Sequence, residues 1–278
     1  MTTSTTLVIG ASGKSGRRVA ARLRLRGVQV RAASRRSATP FDWAAPSGWN
    51  AVLHDVTAAY IVAPTVPGPV HDFVTQAAAA GVQHVVLLSG RGADDWGDSS
   101  FGRDMRDAED AVRASRLSWT IVRPNNFAQN FDEELWYAPL VGGELALPAG
   151  DIGEPFVDLD DVADVAAEVL TDPDRHRGRV YELSGPRSIT FADAVAAISR
   201  ASDRPLTYRR IDPDDYVDVL LAQGLDRGDA EHVTAMFALM GQGLISEPTD
   251  DVAAVLGRPA RTFEDYVLRV AVTGAWTR

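Results

Sequence analysis

The 278-residue sequence has no cysteine, a single lysine and five scattered histidines. The first absence rules out disulfides, thiolate nucleophiles and cysteine-held metals. The histidines (His54, His71, His84, His176, His232) show no metal-ligand spacing and read as surface or capping residues, so no metal is expected. With Lys14 the only lysine, no Tyr-x-x-x-Lys pair exists anywhere in the chain. A tyrosine whose pKa is lowered by a lysine is therefore excluded as proton donor. Acidic residues are missing from the first 41 positions, which hold nine basic ones, yet the whole chain carries a formal charge of −10. So acidic a remainder disfavours nucleic acid as a partner, because phosphate contacts supply most non-specific affinity there. No apolar run suggests a membrane span, and Met1-Thr2-Thr3-Ser4 leads straight into a strand without the charged head of a secretory signal. A cytoplasmic protein with no membrane partner is expected. Its oligomeric state is not legible.

What is present begins with the apolar run Leu7-Val8-Ile9, followed by Gly10-Ala11-Ser12-Gly13-Lys14-Ser15-Gly16 and the helical pattern Arg17 to Leu23. This reads as strand, glycine turn, helix. Glycines at 10, 13 and 16 permit a tight turn, approach of backbone N–H groups to a ligand, and close packing of helix on strand. The helix N-terminus then favours an anion such as a pyrophosphate. Gly13-Lys14-Ser15 imitates the end of a triphosphate-binding loop, but that motif needs glycine where Val8 stands. Dinucleotide binding through Gly10, Ser12, Gly13, Lys14, Ser15 and Gly16 is the expectation.

Arg18, Arg22 and Arg26, four apart, read as a solvated helix face. Arg35 and Arg36 follow the second apolar strand, Val28 to Ala33, at the place where an NAD site usually carries an acid for the ribose 2′-OH. Ser34-Arg35-Arg36 would instead match a 2′-phosphate by charge-assisted hydrogen bonds, which favours NADP(H).

Further strands are expected at Ala59 to Ala63, His84 to Leu88 and Trp119 to Arg123, with Phe41-Asp42-Trp43 as a short strand or its end and Ser47 to His54 as a short helix. Continuous apolar strands alternating with helices predict an α/β fold with a doubly wound parallel Rossmann sheet. Ligands lie beyond the carboxyl ends of such strands. That gathers Ala63, Pro64 and Thr65, Ser89 and Gly90, and Pro124 and Asn125 around the cofactor. Residues 1–130 are expected to form this domain. A smaller, mostly helical substrate domain is expected over 131–278, with segments near 157–185 returning to the Rossmann sheet.

The stretch Arg123-Pro124-Asn125-Asn126-Phe127-Ala128-Gln129-Asn130-Phe131 resembles the NmrA-like branch of atypical short-chain dehydrogenases/reductases, as do Tyr60 to Pro64, Leu87-Leu88-Ser89, Phe156 to Ala163 and Tyr181 to Pro186. The resemblance spans most of the chain. It implies NADPH-dependent hydride transfer to a small apolar acceptor such as a quinone, enone or iminium ion. The branch also contains dinucleotide sensors without catalysis, which is the alternative reading. Counting back from Glu109 puts Met105 and Phe101 where the superfamily's lysine and tyrosine stand, and both are inert to proton transfer. Ser89 stands where the superfamily's active-site serine stands, although a serine ending a strand also serves as a turn cap, the reading preferred from sequence. Asn126, Phe127, Asn130 and Phe156 are the expected substrate contacts, offering amides to orient an acceptor and apolar walls.

Beyond Phe131 the sequence predicts a short helix over 133–137, a helix capped by Asp160 and running to Leu170, and a near capping box at Thr190 and Asp193. Trp136, Met236, Phe237 and Met240 read as core, or as an apolar lid over the nicotinamide end.

Overall fold

The computed structural model describes residues 5–64, 66–97 and 99–277; Thr65, expected at the cofactor, lies outside them. In chain order, β1 (Thr5–Ile9), α1 (Lys14–Leu25), β2 (Gln29–Ser34), β3 (Thr39–Pro40), α2 (Trp49–Leu53), β4 (Val56–Val62), α3 (Pro69–Ala79), β5 (His84–Leu88), α4 (Ser100–Ala114) and β6 (Ser118–Pro124) come first. They are followed by α5 (Tyr137–Val141), β7 (Glu144–Leu147), α6 (Leu159–Thr171), α7 (Pro173–His176), β8 (Arg179–Leu183), α8 (Phe191–Ser202) and β9 (Thr207–Arg210). Helices α9 (Pro213–Ala222), α10 (Arg227–Met240), α11 (Asp251–Leu256) and α12 (Phe263–Ala271) end the chain.

Two compact units result. The first takes the chain through Pro124, then Leu159–Leu183 and Asp251–Arg258. Its sheet has seven strands in the order β3-β2-β1-β4-β5-β6-β8, every pair parallel, so all carboxyl ends share one edge. Helices α2, α3 and α4 cover one face, where Leu7, Ile9, Ala59, Ile61, Val85, Leu87 and Ile121 point. The alternate residues, such as the fully buried Val8, Val86 and Val122, turn to the face packed by α1 and α6. Both faces being covered is why these strands read as unbroken apolar runs.

Several expectations change here. The third strand is Thr39–Pro40, not Phe41 to Trp43; Phe41 and Trp43 instead join Trp49 and Phe73 in an edge-to-face cluster with centroids 5.0–5.8 Å apart around Trp43. Nor is the arginine stripe of α1 merely solvated. Arg22 meets Asp160 at 2.9 Å and Asp164 at 2.6 Å, and Arg26 meets Glu168 at 2.7 Å, tying α1 to α6. Half-exposed pairs of this kind contribute up to about 1 kcal/mol each, so they set register more than stability. Asp160 lies inside the first turn of α6 rather than before it.

His84 and His176 are buried instead of superficial, 3% and 1% exposed, with Nδ1 hydrogen-bonded to Ser118 Oγ (3.1 Å) and Tyr181 OH (2.8 Å) respectively. Burial pushes the His84 pKa down to about 4 and lowers that of His176. Unfolded histidine takes up a proton below about 6.5 while folded His84 stays neutral until about 4, so stability falls as pH drops through that window. The loss attributable to His84 reaches about 3 kcal/mol near pH 4. Urea unfolding at pH 7 and pH 4.5 should show it as a gap between wild type and His84→Asn that narrows on acidification. A gap independent of pH would refute this assignment.

The second unit comprises Asn125–Asp158, Ser184–Asp250 and Pro259–Arg278. Residues 125–130, expected in the first domain, belong here: Ala128 N–H donates to Val157 O and Val157 N–H to Asn126 O, at 2.9 and 3.0 Å. Rings of Phe131, Trp136, Phe156, Phe191 and Phe263 form its centre, and β7 pairs with β9 in a small parallel sheet. The helix expected over 133–137 is replaced by a 3-10 turn at Ala128–Phe131 and by α5. Thr190 and Asp193 do form a capping box, and Thr262 and Asp265 form a second one. Among the described residues no helix is long and apolar enough to cross a membrane.

Candidate functional site

The glycine loop between β1 and α1 is built for a close backbone approach. Gly10 has φ +71°, its carbonyl accepts from Gly13 N–H at 2.8 Å, and Ala11 N–H reaches Ala33 O on β2 at 3.1 Å. A Cβ on Gly16 would lie 2.3 Å from Gly10 O, so only glycine lets the helix seat against the loop. Gly13 begins α1 without a side-chain cap, and no acid stands in the first turn. The N-terminal N–H groups are thus offered to an anion.

At the neighbouring carboxyl end, β2 turns sharply into β3. Ser34 N–H donates to Ser37 Oγ (2.9 Å), which donates to Thr39 O (2.7 Å), and the turn carries Arg35 and Arg36 outward, both exposed. Arg35 also borders a cavity of about 230 Å³ lined by Phe41, Asp42 and Trp49. Ser34 Oγ is buried without a hydrogen-bond partner among the described residues. A buried hydroxyl without a partner among the described residues, followed in the turn by two exposed arginines, fits the ribose end of a dinucleotide. The residues present therefore fit NADP(H).

On the other side of β1, the ends of β4, β5 and β6 bring Ala63, Pro64, Ser89, Gly90 and Pro124 to the same edge of the sheet. Arg91 N–H donates to Pro124 O at 3.1 Å and Ser89 N–H to Val122 O at 2.9 Å, fixing the turn after β5. Behind it lies a charge cluster that sequence reasoning missed. Glu109 is fully buried on α4; its Oε1 accepts from Ser89 Oγ (2.6 Å) and Arg123 Nε (2.8 Å), its Oε2 from Arg123 Nη2 (2.6 Å), and Arg113 Nη2 forms an ion pair with Oε2 at 2.8 Å. Arg123 also meets Asp94 at 2.7 Å. Burial opposes the Arg123 charge, but Glu109 and Asp94 outweigh it and hold the guanidinium above its ordinary pKa. The Arg123 guanidinium in turn holds Asp94 below the usual carboxylate range. The available signal was an arginine inside the otherwise apolar strand Thr120-Ile121-Val122-Arg123. Ser89 is accordingly a partner of a buried carboxylate rather than a turn cap. Met105, one turn before Glu109, packs its sulfur over Gly90, where an added Cβ would meet it at 2.7 Å.

The remaining candidates belong to the second unit and are not equivalent. Asn125 is buried and its Nδ2 donates to Glu154 Oε2 (3.0 Å) and Ile245 O (3.2 Å), which commits both amide protons to the interior rather than to a cofactor. Phe156 is 2% exposed in the aromatic centre, a core residue instead of the expected cleft wall. Asn126, Phe127 and Asn130 are half-buried, with Asn126 Nδ2 donating to Glu154 Oε2 at 3.1 Å. Trp136, Phe237 and Met240 are buried in this core, which is the core reading and not the lid. The unit also holds a cavity of about 640 Å³ lined by Leu135, Trp136, Leu145, Leu147, Tyr216 and Val219. No group of acids and histidines among the described residues could hold a metal.

A profile described as NAD(P)H-binding matches residues 10–173, the glycine loop through α6. The chain belongs to this NAD(P)H-binding family. An NAD(P)H azoreductase of Xenophilus azovorans is 32% identical over 249 residues, covering 88% of this chain and 83% of that one. A (4-alkanoyl-5-oxo-2,5-dihydrofuran-3-yl)methyl phosphate reductase of Streptomyces griseus is 33% identical, covering 94% and 95%. Among solved structures, an NADPH-dependent quinone oxidoreductase of Escherichia coli complexed with NADPH superposes with a TM-score of 0.82 at 21% identity, over 96% of this chain and 99% of that one. NmrA, a negative transcriptional regulator in complex with NADP, gives 0.76 at 20% identity over both full chains. The NAD(P)H-binding family thus supplies the cofactor class, and the NmrA-like fold holds from end to end.

Proposed function

We propose that this protein is an NADPH-dependent reductase that transfers hydride to a small, largely apolar acceptor of the quinone, enone or iminium type. The observation that carries the reading is the tight turn presenting Arg35 and Arg36 beside the orphaned Ser34 hydroxyl, in a family whose relatives are reductases. Bound NADPH supplies the hydride from its nicotinamide ring. The protein's own part is orientation and exclusion of water. The absence of a tyrosine and lysine pair favours acceptors that take hydride before any strong acid is needed at oxygen, the proton then coming from solvent. Asn126, Phe127 and Asn130 are the proposed substrate contacts, with Asn125 and Phe156 supporting them from the core.

Titration should give NADPH at least about tenfold tighter than NADH, equivalent to about 1.4 kcal/mol and within reach of one charge-assisted pair. Arg35→Ala should erase most of that preference while leaving NADH binding unchanged. With NADPH, quinones, enones and cyclic iminium salts should be reduced and simple ketones should not, and Asn126→Ala or Phe127→Ala should slow the best acceptor at least about tenfold. Equal affinities for the two cofactors would overturn the Arg35 assignment. Tight NADPH binding with no turnover of any acceptor would replace the reductase by a dinucleotide sensor.

A further inference from the structure

The strand order places β2 on one side of β1 and β4, then β5, on the other. With the pyrophosphate at the glycine loop and the adenosine end at Arg35, the nicotinamide half runs toward β5, about 10 Å, or two strand spacings, from β1. Ser89 is the first residue past β5 and is half-buried. Its single hydroxyl proton is spent on Glu109 Oε1 at 2.6 Å. The bond runs in this direction because both oxygens of Glu109 already face guanidinium donors: Arg123 bonds Oε1 and Oε2 and Arg113 pairs with Oε2. What Ser89 offers outward is therefore lone pairs alone.

A nicotinamide ring carries one N–H donor, the carboxamide. We propose that Ser89 accepts a hydrogen bond from the nicotinamide carboxamide N–H, and that Glu109, locked by Arg123 and Arg113, is the positioning residue that fixes this polarity. Met105, folded over Gly90 beside it, contributes an apolar thioether surface in place of a charged amine. The inference rests on the NADP(H) reading of the cleft.

The test is equilibrium binding, by calorimetry, of NADP⁺ and of its 3-acetylpyridine analogue, which keeps the carbonyl and replaces the amide nitrogen by methyl. Wild type should bind NADP⁺ about fivefold more tightly than the analogue. Ser89→Ala should reduce the ratio to below twofold by weakening NADP⁺ alone, and Ser89→Thr, which keeps the hydroxyl, should restore it. Ser89→Ala removes only one of the three hydrogen bonds on Glu109 and leaves its ion pair with Arg113, and Ser89→Thr reports on the fold independently. A wild type blind to the analogue, a Ser89→Ala protein that keeps the full ratio, or equal weakening of both ligands would each overturn the proposal. Failure of wild type to bind NADP⁺ at all would overturn the cofactor reading instead.

Discussion

Replacing Gly16 by alanine should weaken NADPH binding at least about 100-fold, equivalent to about 2.7 kcal/mol. The added Cβ would sit 2.3 Å from Gly10 O, 2.7 Å from Gly10 C and 3.0 Å from Ala11 Cα, all backbone atoms that cannot rotate away. Relief requires α1 to lift off the loop, which breaks the 2.8 Å bond from Gly13 N–H to Gly10 O and displaces the N–H groups meant for the pyrophosphate. Gly13→Ala is the graded control, since its Cβ would stop 3.2 Å from the same oxygen and needs only a few tenths of an ångström. Fluorescence titration of both variants, with circular dichroism to establish that each is folded, checks the ordering. Gly16→Ala binding within threefold of wild type would mean the loop does not seat the cofactor.

The second large effect is expected at Glu109. Glu109→Leu leaves buried Arg123 only its more exposed partners Asp94 and Glu182, and stripping one partner from a buried ion pair costs about 3–5 kcal/mol. For a chain of this size that is a fall in melting temperature of about 10 °C or more. The informative companion is Glu109→Leu with Arg123→Met, because an apolar replacement of the whole buried pair is often neutral. Calorimetry should show the double variant recovering most of the loss. If the two variants melt together, the penalty comes from repacking α4 and not from a stranded guanidinium.

Parallel strands buried on both faces advertise themselves, so β1, β4, β5 and β6 were legible as apolar runs and the glycine spacing located the cofactor loop. Periodicity says that a side chain is buried, but not in which core. Phe156 read as an apolar cleft wall, whereas it meets Phe131 edge to face, ring centroids 5.2 Å apart, in the centre of the second unit. Charge behaves similarly. Arg22 reads as solvated from its own helix, and its partners Asp160 and Asp164 lie about 140 residues away, beyond any local pattern. Phe41 and Trp43 imitate a strand because aromatic residues favour strands, yet they fill space against Trp49 and Phe73. At the site, Arg35 was legible as a base standing where an NAD site usually carries an acid. The polarity of Ser89 was not, because a hydroxyl's direction is set by a carboxylate twenty residues on.

The interleaved first unit has a consequence for synthesis. Its sheet lacks its last strand until Leu183 has been made, and α6, which supplies the acidic partners of α1, lies beyond Asp158. Asp251 at the start of α11 then accepts from the Glu182 N–H on β8 at 2.7 Å, and Arg258 holds Asp161 and Asp164 at 2.8 and 2.7 Å. On a ribosome the glycine loop and α1 therefore emerge well before α6, the layer that holds this helix in place. A nascent chain that has not reached α6 and Arg258 has the loop's residues without the packed layer that seats their helix on the sheet.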